Sequence, residues 1–361
     1  MPSPTLDRRG FSAVVACAAA ACAAPPLRAQ GRPEQRRVAI SVGGKASFYY
    51  LPLCIAEQLG FFAAEGLDVV ASDYAGGSLA RNALVNGEVD VCAGAYEHVI
   101  ILQAKRLFHE AFVQLGRAPQ ITFGASMRAL PHYESPADLR GKWIGVSAPG
   151  SSTGMVARMA LARAGVKPDE VSFIGVGTSI GAVQALRSGQ IDAISNVEPV
   201  ITALEQRGEI RIISDTRTLK GTIALFGGLM PAGCLYAPTE FLQRNPVTVQ
   251  ALANAIVRAL KWLQTAGPSD IVRTVPENYL LGDRALYLAA FNKVRQAISP
   301  DGVMGDGAST TALRALASYD PAVRIGDIDL TRTYTNSFAL RAKVRFMAGG
   351  PPPALQQRIV G

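Results

Sequence analysis

Apolar positions along this chain switch repeatedly between a period of about two residues and one of about 3.6. These are the signatures of a half-buried strand and of an amphipathic helix. Val38, Ile40 and Val42 alternate and end at Gly43-Gly44, which predicts a strand. Leu51, Ile55, Leu59 and Phe62 share one helical face, and Pro52 suits its first turn. A strand over 67–71, a helix over 79–86 stopped by Gly87, a strand over 89–93 and a helical run over 96–107 follow. The apolar runs 112–115 and 121–125 read as a hairpin or a crossing pair. The cycle then restarts, with strands over 143–147, 171–176, 191–196 and 210–214 and helices over 155–164 and 180–187. After Gly227-Gly228 comes a strand over 234–237, and the rest is mostly helical. Its longest helix spans 246–266, with Asn245 as expected N-cap and Gly267 past its end. Short strands joined by helical crossovers predict an α/β protein of two lobes with mainly parallel sheets. The expected division is a first lobe from 31–126 and 231–347, an inserted second lobe from 127–230, and a flexible tail from 348–361.

Residues 1–30 break this grammar and read as an export signal. Arg8-Arg9 gives a positive start, an Ala-rich apolar stretch runs from 11 to 24, and Pro25-Pro26 ends it. The stretch is too short to span a bilayer. Arg8-Arg9-Gly10-Phe11 resembles a twin-arginine signature, with an ordinary secretory signal or a lipoprotein signal at Cys17 as alternatives. Cleavage near Ala29 or Gly31 and a periplasmic location are expected.

The 361 residues are 49% hydrophobic and 18% charged, which excludes a disordered chain. The formal net charge is +8, but part of the excess is Arg8, Arg9 and Arg28 of the leader. The remaining basic residues are dispersed, so no nucleic-acid partner is expected. Of the five cysteines, Cys54, Cys92 and Cys234 follow the leader, each in an apolar context that suits a small buried side chain. There is no C-x-x-C pair and only three histidines, His98, His109 and His132, so no metal and no cofactor is expected.

Ligands of parallel α/β sheets bind beyond the strands' carboxyl ends, where helix N-termini present unpaired N–H groups. The candidate corners are Gly43-Gly44 to Tyr50, Gly76-Gly77-Ser78, Ala95-Tyr96-Glu97, Gly150 to Thr153, Gly177-Thr178-Ser179 and Asn196 to Pro199. Glu198, before a proline, is biased toward extended backbone and is expected to offer its carboxylate to a ligand. Tyr49, Tyr50 and Tyr96 are candidates for an aromatic wall. Enzyme readings fail on their own requirements. Gly150-Ser151-Ser152-Thr153-Gly154 matches G-x-S-x-G, but all three histidines precede Ser152, which forbids the hydrolase order Ser, Asp/Glu, His. Gly175 to Gly181 resembles a dinucleotide fingerprint, but Asp192 falls at the wrong end of the next strand.

Several segments together resemble the periplasmic solute-binding proteins of the nitrate, sulfonate and taurine group, in the thiamine-pyrimidine-synthase-like superfamily. They are Leu51-Pro52-Leu53 with Ala56-Glu57, Gly60-Phe61-Phe62, Glu65 to Val69, Gly76-Gly77-Ser78, Asp138 to Lys142, Ile191-Asp192-Ala193 and Glu198-Pro199. The resemblance implies a type II periplasmic-binding-protein fold hinged near 117–126 and 228–237. It further implies a monomer that closes on one small solute and delivers it to an ABC permease. The positions matching the family's pocket are Tyr49, Tyr50, Gly77, Ser78, Tyr96, Glu97, Ser151, Ser152, Thr153, Asn196 and Glu198. The tryptophan often found before that Glu-Pro is missing here, and the solute is left open. A synthase-like enzyme and a ligand-presenting sensory protein are the alternatives.

Overall fold

A computed structural model describes residues 31–347, so the expected export signal over 1–30 and the expected tail from 348 lie outside the described residues. Among the described residues, ten strands form two five-stranded sheets. β1 (Arg37–Gly43) carries Val38, Ile40 and Val42 fully buried, as their alternation predicts. α1 (Leu51–Gln58), β2 (Asp68–Tyr74), α2 (Gly77–Val85), β3 (Val91–Ala95), α3 (Glu97–Ala104) and β4 (His109–Gln114) continue the first lobe. The second contains β5 (Ile121–Ser126), β6 (Trp143–Val146), α4 (Ser152–Arg163), β7 (Ser172–Gly175), α5 (Ile180–Ser188), β8 (Ala193–Val197), α6 (Val200–Glu205), β9 (Ile210–Asp215) and α7 (Leu219–Phe226). The chain returns through β10 (Gly233–Pro238) and ends in helices including α8 (Pro246–Thr265), α9 (Arg284–Val294), α10 (Ala308–Ala317) and α11 (Ser337–Met347).

The sheets have matching orders, β2-β1-β3-β10-β4 and β7-β6-β8-β5-β9. In each, the first three strands are parallel, as Ile40 beside Val91 and Ile144 beside Phe173 illustrate. The fourth strand, β10 or β5, runs antiparallel to both neighbours. Both sheets are therefore mixed, with four strands of each sharing one direction, as expected of mainly parallel sheets, and one running against them. The physical reason is that β5 and β10 enter their sheets from the opposite lobe and not through a helical crossover.

The crossing of β5 also shifts one expected boundary. Ile121–Ser126, expected with the first lobe, is a buried strand of the second sheet. The runs 112–115 and 121–125 thus form a crossing pair and not a hairpin. The crossings lie at 115–120 and 227–232, where Leu115 and Gly116 N–H donate to the Gly233 carbonyl and Ala232 N–H donates to Gly116.

α8 buries Val249, Leu252, Ile256, Leu260 and Leu263 at helical spacing. Its N-terminus is capped differently from expectation. The Asn245 side chain donates to the Phe241 carbonyl, and the cap is the Glu34 carboxylate, which accepts from Val247 N–H at 3.0 Å and Thr248 N–H at 2.9 Å. Burial pushes the Glu34 carboxyl up, but the donors at Val247 and Thr248 outweigh it and hold the group below its ordinary value. Replacing Glu34 by Ala is expected to cost about 1 kcal/mol, the usual worth of a cap. Because the folded pKa is depressed, that difference is present at neutral pH and fades as pH falls through the carboxylate range. Urea denaturation at pH 7 and pH 4 checks both.

Cys54, Cys92 and Cys234 are free thiols and buried, as expected. Burial pushes the Cys54 and Cys92 thiols up to about 12 and about 11, so they act as packing groups. No helix among the described residues is long and apolar enough to cross a membrane.

Candidate functional site

The carboxyl ends of β1, β2 and β3 face those of β6, β7 and β8, and the loops between strand and helix meet across the gap. The contact centres on the starts of α2 and α4. Ser78 N–H donates to Ser151 Oγ at 2.9 Å, Ser151 Oγ donates to Ser78 Oγ at 3.1 Å, and Ser78 Oγ donates to the Pro149 carbonyl at 2.8 Å. A third point joins Phe48 N–H to the Glu198 carbonyl at 3.2 Å. This approach demands small residues. A Cβ on Gly76 would lie 2.7 Å from Ala148 Cβ, and one on Gly44 would lie 2.2 Å from Thr178 Oγ1.

Inside the contact is a cavity of about 20 Å3, room for roughly one water. Tyr49, Tyr50 and Gly77 line it from the first lobe, and Ser151, Ser152 and Thr153 from the second. Gly43, Ser47, Thr178 and Val197, all within the candidate corners, and Ser147 and Ile121, which were not anticipated, complete the wall. The tyrosine rings stand edge to face with centroids 5.0 Å apart. Burial pushes both phenols well up, helped by the nearby Glu97, so each stays a protonated donor. Thr153 Oγ1 is occupied, accepting from Ser147 N–H at 3.0 Å.

Glu97 opens α3 and is almost completely buried, 2% exposed. One carboxylate oxygen, Oε1, has no hydrogen-bond partner. Burial pushes this carboxyl up to about 7, against the Ser152 hydroxyl and Arg81, which favour the charged form. His98 beside it is also buried, with Nε2 unpartnered, and burial holds the ring neutral by lowering its pKa well below the ordinary value.

Three expected ligand groups are engaged elsewhere. The Tyr96 hydroxyl pairs with Thr333 Oγ1 at 2.6 Å and its ring packs on Tyr334, inside the first lobe. Asn196 donates from Nδ2 to the Gly177 carbonyl and accepts from Val197 N–H, both at 2.9 Å. Glu198 is fully buried, and its carboxylate accepts from Thr202 N–H at 2.8 Å, Thr202 Oγ1 at 2.9 Å and Arg217 at 2.7 Å. The expectation that Glu198 offers its carboxylate to a ligand is therefore corrected. Only its backbone carbonyl faces the first lobe. Its partner Arg217 also binds Glu205 at 2.9 Å and Asp215 at 2.6 Å. Among the described residues, no cluster of three or more His, Cys, Asp or Glu could hold a metal ion.

The sequence from 47 to 268 matches the family model described as NMT1/THI5 like. The chain belongs to the NMT1/THI5-like family. That span holds every residue of the cavity except Gly43. A curated relative from Bacillus subtilis (strain 168), provisionally named binding protein YtlA, is 23% identical over 265 residues, covering 72% of this chain and 77% of its own. A solved structure of a protein from Bordetella bronchiseptica RB50 is 55% identical with a TM-score of 0.86, covering 88% of this chain and 99% of its own. The alkanesulfonate-binding protein SsuA from Xanthomonas axonopodis pv. citri, solved with MOPS bound, matches with a TM-score of 0.64 at 16% identity. The match covers 84% of this chain and 99% of SsuA. The two-lobed fold is thus that of the periplasmic binding proteins.

Proposed function

We propose that this chain is an extracytoplasmic solute receptor. It closes two lobes on one small organic solute and delivers it, without chemical change, to an ABC permease. The observation that carries this reading is the closed contact itself, in which the starts of α2 and α4 from opposite lobes bond through Ser78 and Ser151 beside one shared cavity. Closure of two lobes around a solute is a familiar way to bury a ligand and match its polar atoms. The fold likeness to SsuA and the binding-protein relative support it. In this reading the leader directs export, cleavage falls near Ala29 or Gly31, and the exported chain acts as a monomer in the periplasm. Tyr49, Tyr50, Ser152 and Glu97 are the side chains proposed to meet the solute, with Gly77 giving it room.

The test is thermal unfolding of the mature protein against a solute library of sulfonates, carboxylates, pyrimidines and amines. A specific solute at about 100 times its dissociation constant should add about 2.7 kcal/mol of stability. Failure of every compound to raise the Tm would overturn the receptor reading.

A further inference from the structure

A second, larger space of about 350 Å3 lies between the lobes, sharing Ser151 with the small cavity. Its walls carry three cations. Arg81 comes from α2 and Lys105 from the end of α3, both on the first lobe, and Arg158 comes from α4 on the second. None of the three makes an ion pair among the described residues. Arg81 donates only to neighbouring Asn82, and the Arg158 guanidinium lies over the Phe173 ring, 4.2 Å from its centroid. The acid at this space, Asp320, already accepts from Ala322 N–H. Three cations facing one cavity against a single acid leave an excess of positive charge, which raises the local potential for an anion.

Glu97 does not line this space, but its charge is felt there. Tyr319, another wall residue, is pushed up by burial and then by the Glu97 charge, while Arg158 opposes the shift. Arg81 in turn favours the charged form of Glu97. The cationic walls and the carboxylate with the unpartnered Oε1 therefore lie within electrostatic range of each other.

We infer that the solute is an organic acid held at two ends. Its anionic head is bound by Arg81, Lys105 and Arg158, and a hydroxyl, amide or ammonium at its other end donates to Glu97 beside Ser152. This rests on the receptor reading above. The forked guanidinium donors of Arg81 and Arg158 suit a planar carboxylate, and they come from opposite lobes, so the head group itself favours closure.

The test is calorimetric titration of the mature protein with matched probes. These are 4-hydroxybenzoate, 6-hydroxyhexanoate and 6-aminohexanesulfonate, each beside the amide or sulfonamide of its acid group, together with every compound that raises the Tm in the library above. The expected result is that binders carry an anionic head group, that their amides bind at least tenfold more weakly, and that Arg81→Gln and Arg158→Gln each weaken binding at least tenfold. Arg158→Lys should recover part of the loss, and the unliganded Tm of each variant reports its folding. Binders that lack an anionic head group, or that ignore both arginine substitutions, would overturn the organic-acid assignment and leave the receptor standing. A library without a single binder would instead count against the receptor.

Discussion

Replacing Arg217 by Met is expected to destabilise the chain by about 3–5 kcal/mol, the usual cost of stripping one partner from a buried ion pair. Against a total stability of about 5–15 kcal/mol for a folded domain, that is a large fraction. Arg217 is 4% exposed and joins Glu198, Glu205 and Asp215, at 2.7, 2.9 and 2.6 Å. Glu198 is fully buried, and without the guanidinium it keeps only the two Thr202 donors. The cluster also reaches the other lobe, since Lys293 on α9 bonds Glu205 at 2.6 Å. Burial already raises the Glu198 carboxyl above its ordinary value despite Arg217. An acid whose folded pKa is raised binds its proton more readily folded than unfolded. Stability then falls as pH rises between the ordinary glutamate value and the folded one. Removing Arg217 widens that window, so the deficit of Arg217→Met should be largest near pH 7 and shrink toward pH 5. Urea denaturation at both values measures it. Pairing the change with Glu198→Gln should recover part of the loss, because no charge is then left unpaired. A deficit below about 1 kcal/mol at pH 7 would show that this ion-pair cluster does not hold the second lobe together.

The Glu198 case shows where sequence reasoning ran out. Glu198-Pro199 at a strand end was visible, but Arg217 is brought to it only by the pairing of β9 with β5, which no local pattern encodes. Tyr96 follows the same logic. Its place before a helix start was legible, whereas its partner Thr333 lies near the far end of the chain. The corners themselves were legible, because glycine and serine at strand ends serve both the turn and the approach of the opposite lobe. Gly44, Gly76, Gly77, Ser78 and Ser151 all stand at the contact. The presence of the parallel strands was legible from the alternation of strand and helix. The antiparallel pairing of β5 and β10 was not, since a strand that crosses between lobes has its partners set by tertiary packing alone. Arg81 and Arg158 carried a readable signal that went unused. They follow Ser78 and Ser151 at three and seven positions, on the same faces of their helices.

Replacing Gly76 by Val is expected to abolish solute binding, a loss of at least 100-fold, while leaving the unliganded fold intact. Gly76 has φ −171°, ordinary extended backbone that valine adopts without strain. The obstacle is the other lobe. A Cβ at this position lies 2.7 Å from Ala148 Cβ and 3.0 Å from Ala148 N, and backbone cannot swing aside as a flexible side chain does. The same approach brings Ser78 to Ser151 Oγ at 2.9 Å, so separating Gly76 from Ala148 breaks the bonds that join α2 to α4. A receptor that binds by closing loses affinity in proportion to its closed population, and 100-fold corresponds to about 2.7 kcal/mol against closure. The variant should unfold near the wild-type temperature without solute and gain no stability with it. Small-angle scattering should show one larger radius whether or not solute is present. Gly326→Ala, at a position with nothing within 4 Å, serves as the neutral control. Wild-type affinity in Gly76→Val would mean that solute is held without the Ser78–Ser151 contact, and that the closed arrangement is not the binding form.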